Sequence, residues 1–152
     1  MTELAETTFL NRMEMGEDTS IGIITSSTSY QYAREVFGPK ASILKLGLVN
    51  PLPKQKILDF AAKVDKVLVL EELDPVIEDH CRALGLDVLG KDVLPLEGEF
   101  SQGLVAEKLG KPGKPWVGLG ENVPGRPPVL CAGCPHRGLF YTLAKHKVTV
   151  LG

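Results

Sequence analysis

The residues most suited to chemistry lie near the carboxyl end of the chain, in "VLCAGCPHRG" at positions 129–138. Cys131 and Cys134 form a C-x-x-C, whose turn can present two thiolates to one metal ion or cluster. His136 and Arg137 follow directly and suit an anionic group. Zinc in a structural site takes four ligands, yet only His136, His146 and Cys81 remain to join the pair, and no second C-x-x-C exists. A thioredoxin-type dithiol would sit at a strand-to-helix junction, not behind a proline-rich stretch. The spacing therefore leaves three readings open: a metal or cluster site, a loop lining a cofactor, or plain structure.

Two further groups carry polar chemistry. "TSSTS" (25–29) is rich in hydroxyls but has no glycine, so it is neither a dinucleotide fingerprint nor a P-loop. It suits either the start of a helix or a hydroxyl-lined contact to an anion or a partner. Glu71, Glu72 and Asp74 place three carboxylates within four residues, fit for acid–base work, a hard cation or a helix cap. Cys81 falls on an apolar helical stripe and reads as core. His80 reads as a partly buried structural histidine.

The elements that would position these groups are legible in the periodicity. "SIGIIT" (20–25), "ASILKLGLV" (41–49), "KVLVLEEL" (66–73) and "LDVLG" (86–90) read as strands. Helical patterns separate them: within "TSSTSYQYAREVFG" (25–38), a stretch with Pro53 near its first turn, a stretch opening at Asp74 and Pro75 as N-cap and first residue, and 101–110. Four alternations with short connections predict an open, mostly parallel α/β sheet flanked by helices. Ligands of such sheets bind beyond the carboxyl ends of the strands, so segments 25–29, 47–53 and 71–75 should share one edge.

Five of the eleven prolines and four glycines fall between Lys111 and Pro128, which marks a connection between domains. Trp116 is expected to pin part of it by packing. The organisation expected is a lead-in (1–19), an α/β domain (20–110), a Pro/Gly-rich linker (111–128) and the truncated start of a second α/β domain (129–152). In that last piece the apolar run "VTVLG" would be a strand with nothing to pair with.

Composition narrows the function classes. The 152 residues are 43% apolar and 24% charged, enough for a soluble core. A net charge of −2 and the lack of a basic stripe argue against a nucleic-acid partner. No apolar run approaches the roughly 20 residues that span a bilayer, and the first residues are no signal peptide. Three cysteines without a secretory leader suit a reducing, cytoplasmic address.

The chain from Phe9 to Gly152 resembles the large, thiamine-diphosphate-dependent subunit of the indolepyruvate:ferredoxin oxidoreductases. The resemblance rests on "GIITSSTSYQYAREVFG", "ILKLGLVNPLP", "VLVLEELDPVIE", "LGKDVLP" and, most specifically, "RPPVLCAGCPHRG". It implies that 20–110 is a transketolase-C-terminal-like domain and that the diphosphate-binding domain opens near residue 127. Gly152 would then be the glycine of a Gly-Asp motif that begins the metal and diphosphate site. Two residues depart from the family pattern: Ala132 replaces a proline between the cysteines, and Ser27 stands where glycine is common.

The resemblance also implies an activity. Such enzymes decarboxylate arylpyruvates, pass the acyl group to coenzyme A and send two electrons through 4Fe–4S clusters to ferredoxin, using thiamine diphosphate with Mg2+. A smaller partner subunit completes them. Cys131 and Cys134 become candidate cluster ligands; His136 and Arg137 become candidate contacts to the substrate carboxylate or the cofactor diphosphate. No residue of the chain is assigned a catalytic role. The isolated chain is expected to bind none of these cofactors and to be inactive. A non-catalytic subunit-contact module and a small C-x-x-C metal-binding protein are the alternatives.

Overall fold

A computed structural model of the chain describes residues 1–111 and 130–149. The fold divides into two compact units, one within 1–116 and one within 117–152.

The first unit is built on a five-stranded sheet. Its strands are β1 (Arg12–Glu14), β2 (Asp18–Ser26), β3 (Ala41–Leu46), β4 (Val67–Leu70) and β5 (Val88–Leu89). The helices are α1 (Thr2–Thr7), α2 (Ser29–Phe37), α3 (Lys54–Ala61), α4 (Val76–Ala83) and α5 (Gln102–Lys108). The order across the sheet is β1-β3-β2-β4-β5. All pairs are parallel except β1 with β3, which is antiparallel and closes one edge. This is the open, mostly parallel α/β architecture that the alternating pattern predicts.

Register explains why the strands read as unbroken apolar runs. Ile23 of β2 pairs with Ile43 on one side and Leu68 on the other, and the next residues point to the opposite face. One face packs Ile24, Leu44, Val67 and Val69 against Ile57 and Phe60 of α3 and Ile77 and Cys81 of α4. The other packs Ile23, Ile43, Leu68 and Leu70 against Ala33 of α2 and Val105 of α5. Each fully buried aliphatic side chain here contributes roughly 1.5–3 kcal/mol. Gly22 is required where α3 comes close, because a Cβ there would collide with Val64 and Phe60.

The segment expected as a lead-in, 1–19, does more than lead in. It supplies α1 and β1, and Asn11 within it is buried with its amide fully used. Asn11 Nδ2 donates to the carbonyls of Ala5 (2.9 Å) and Leu48 (3.1 Å). Its Oδ1 accepts from the N–H groups of Gly47 (2.9 Å) and Leu48 (2.8 Å). One side chain thereby ties α1 to the loop after β3.

The second unit is described from Leu130 to Thr149 and contains α6 (His136–Lys145), which has no buried residue. Val148 and Thr149 are not in a strand; the rest of the expected "VTVLG" strand, with Gly152, lies outside the described residues. So do Trp116 and all of the expected linker except Lys111. Among the described residues no helix is long and apolar enough to cross a membrane.

Candidate functional site

The three segments assigned to the carboxyl edge do meet. A cleft of about 350 Å³ is lined by Ser26, Ser27 and Ser29 after β2, Val49 after β3, and Glu71 to Asp74 with Val76 and Ile77 after β4. Its volume falls within the range of small-molecule sites. Two of its residues hold backbone conformations that favour glycine: Ser27 at φ 50° and Leu73 at φ 57°. The glycine that the family resemblance implies at position 27 fits this backbone, and serine occupies it against the preference.

The cleft's carboxylates divide by role. Glu71 is buried and turns back onto α4, where Oε2 accepts from the Ile77 N–H and Oε1 from the Glu78 N–H, both at 2.9 Å. Burial holds its carboxyl above the ordinary glutamate value, although those two N–H groups and the Lys91 ammonium pull it down. Lys91 Nζ donates to the Glu71 carbonyl at 2.6 Å. Glu72 Oε1 accepts from the Phe100 N–H at 2.8 Å.

Asp74, expected as the cap of α4, makes no side-chain hydrogen bond among the described residues and is exposed. The left-handed turn at Leu73 swings the chain outward, so Pro75 occupies the N-cap position and Glu71 supplies the capping oxygens instead. The hydroxyls of 25–29 do not cap α2 either. Thr25 donates to the buried Leu70 carbonyl at 2.7 Å, and Thr28 at the N-cap makes no side-chain bond to the helix.

Behind the cleft lies a charge network around the buried Glu78. Glu78, 1% exposed, faces Arg82 Nη2 at 2.8 Å, and its Oε2 accepts from the Lys91 N–H at 2.9 Å. Arg82 also meets Asp92 at 2.8 Å. The i,i+4 spacing of Glu78 and Arg82 was the one visible signal. Cys81 is fully buried as expected; desolvation, then the charges of Glu71 and Glu78, push its thiol up to about 12. His80 is half-buried, and its Nε2 finds no partner among the described residues.

The cysteine loop is a tight turn. The Cys134 N–H donates to the Cys131 carbonyl at 3.1 Å across Gly133, whose φ of 76° suits glycine. Pro135 then opens α6, and the Arg137 N–H donates to the Cys134 carbonyl at 3.2 Å. Cys134 Sγ lies 3.4 Å from His136 Nδ1, and the His136 ring stacks near Phe140 with centroids 6.3 Å apart. All three cysteines are free thiols, and Cys131 is exposed. A 4Fe–4S cluster takes four thiolates, and the third cysteine is buried in the core of the first unit. Among the described residues no group of three His, Cys, Asp or Glu is arranged to hold a metal ion. The two thiols of the loop therefore do not make a complete cluster site by themselves among the described residues.

Sequence places the chain in the family of the indolepyruvate oxidoreductases. Over most of its length it is a relative of the indolepyruvate oxidoreductase subunits IorA. It is 38% identical to that of Archaeoglobus fulgidus over 84% of this chain. The proteins of Methanothermobacter thermautotrophicus and Pyrococcus abyssi are 34% and 31% identical over 93% and 89% of it. The chain spans about a quarter of the length of these relatives, 23–25%. No family model matches. Among solved structures, 2-oxoglutarate:ferredoxin oxidoreductase from Magnetococcus marinus, with 2-oxoglutarate, coenzyme A and succinyl-CoA bound, is 22% identical. It aligns with a TM-score of 0.45 over 54% of this chain and 16% of that one.

Proposed function

We propose that the chain is a segment of the large subunit of a thiamine-diphosphate-dependent arylpyruvate:ferredoxin oxidoreductase. The observation that carries this reading is identity of 31–38% with named IorA subunits across 84–93% of the chain. In the parent enzyme a 2-oxoacid such as indolepyruvate is oxidatively decarboxylated to an acyl-CoA, with electrons passed to ferredoxin and a smaller subunit as partner. Thiamine diphosphate with Mg2+ supplies the carbanion chemistry when bound. The first unit acts as a packing and positioning domain, and the cysteine loop opens the cofactor domain. Cys131 and Cys134 supply two thiolates of a cluster completed elsewhere. His136 and Arg137 face the substrate carboxylate or the cofactor diphosphate.

Ferredoxin reduction by the full-length parent with its smaller subunit, given indolepyruvate and coenzyme A, tests the activity. Failure with every arylpyruvate overturns it. Iron analysis of Cys131→Ser and Cys134→Ser in that complex tests the ligand assignment; unchanged iron content sinks it. The isolated chain is expected to take up neither thiamine diphosphate with Mg2+ nor stoichiometric zinc, and calorimetry or metal analysis showing tight binding of either would refute this. Glu71 favours a structural role for the first unit, because both of its oxygens are committed to α4.

A further inference from the structure

The cleft at the carboxyl edge has a donor wall that the charge network leaves untouched. The N–H groups of Thr28 and Ser29 find no acceptor among the described residues. Ser29 is 3% exposed, lines the cleft, and its hydroxyl likewise takes no hydrogen bond among the described residues. Left-handed Ser27 followed by right-handed Thr28 (φ −65°, ψ −29°) turns successive N–H groups toward one concavity, the arrangement that binds oxyanions. The nine-residue α2 adds the positive end of its dipole at the same point.

An acceptor wall stands beside it. β2 and β4 pair in parallel as far as Thr25 opposite Leu70, and Ser27 and Glu72, each two residues beyond that pair, both line the cleft. One oxygen of Glu72 is used by Phe100 N–H; the other, and the whole Asp74 carboxylate, have no hydrogen bond among the described residues. Aliphatic side chains sit alongside both walls: Val49, Leu73 and Val76 are 44%, 62% and 61% exposed.

Three ligand classes leave something unmatched. A phosphate dianion meets the repulsion of Glu72 and Asp74. A simple cation leaves the N–H groups and Ser29 unused. A hydrocarbon leaves both walls unpaired. We infer that the cleft binds a small aliphatic α-amino acid. Its carboxylate sits on the Thr28 and Ser29 N–H groups and the Ser29 hydroxyl, its ammonium on Glu72 and Asp74, and its side chain against Val49, Leu73 and Val76. This site is independent of the parent enzyme's proposed reaction.

L-leucine titrated into the full chain, followed by calorimetry and amide NMR, tests the inference. Saturable binding is expected, with shifts concentrated at 26–29 and 71–76. The analogue without the ammonium (4-methylpentanoate) and the one without the carboxylate (3-methylbutylamine) should each bind about tenfold more weakly or worse. Glu72→Gln and Ser29→Ala should each weaken leucine by about tenfold, with the amide spectrum reporting that the fold is kept. If Ser29→Ala does not fold, Glu72→Gln and the two analogues still decide. No saturation by about 10 mM leucine, an affinity too weak to matter, overturns the site. So does 4-methylpentanoate binding as tightly as leucine, which would leave only an apolar groove, or inorganic phosphate outcompeting it, which would leave only an anion site.

Discussion

Helices α4 and α2 both begin at the carboxyl edge of the sheet, yet their first turns are finished in opposite ways. α4 has two of its leading N–H groups closed by Glu71, six and seven residues earlier in the chain. α3 follows the same plan from farther off: Glu6 of α1 accepts from Gln55 N–H at 2.8 Å and Lys56 N–H at 3.0 Å. α2 receives no such carboxylate. A helix start needs its orphan donors satisfied by something, whether a side chain, water or a ligand. Where a carboxylate has taken the position, no room is left for chemistry; where none has, a concavity with free donors remains.

The comparison breaks most visibly at Glu71. Glu71→Ala strands two N–H groups of α4 and is expected to cost about 2–4 kcal/mol by denaturant unfolding. A loss below about 1 kcal/mol would mean that water replaces the carboxylate without penalty. The same residue sets a pH dependence. Its native pKa is raised, so the folded chain holds that proton more tightly than the unfolded one. The associated stability is fully present below the ordinary glutamate pKa and is lost as pH rises through the raised native value. The gap between wild type and Glu71→Ala should therefore narrow as pH rises from the ordinary glutamate value through the raised native one, and a widening gap would contradict the assignment.

Smaller effects sharpen the contrast. Glu6→Ala, at a more exposed helix start, should cost about 1 kcal/mol. Ser27→Gly should raise stability by about 0.5–1 kcal/mol, because glycine accepts the left-handed backbone that serine resists. Ser29→Ala should change unliganded stability by no more than about 0.5 kcal/mol, since its hydroxyl has no partner to lose. A penalty well beyond that would show that the start of α2 is closed after all.

The cysteines make a similar point about local reading. Cys81 sits on an apolar helical stripe, and its fully buried, hard-to-ionise thiol follows from that position. The C-x-x-C spacing was equally visible, and the turn from Cys131 to Cys134 forms as such spacing suggests. The Cys134–His136 contact needed Pro135 and the start of α6 to bring it about. Asp74 shows where local reading failed. Its position before Pro75 matches a cap signal, but the left-handed turn at Leu73 carries it outward.

Apolar periodicity by itself determined the strands β2 to β5, the helices α2 to α5 and the shared edge where the cleft lies, because burial on one face of a helix or both faces of a strand repeats at fixed spacing. Residue types alone also marked 25–29 and 71–74 as the polar groups of that edge. Only the tertiary structure decided which of them are spent. Glu6 and Asn11 come from a segment with no periodic signal, and Glu71 reaches past the nearer Asp74. Such partners meet across loops, 49–50 residues apart for Glu6 and 36–37 for the Asn11 carbonyl, and no local spacing rule encodes a hydrogen bond over that separation. The free donors of α2 were invisible for the same reason: an unmet N–H is defined by everything that fails to arrive.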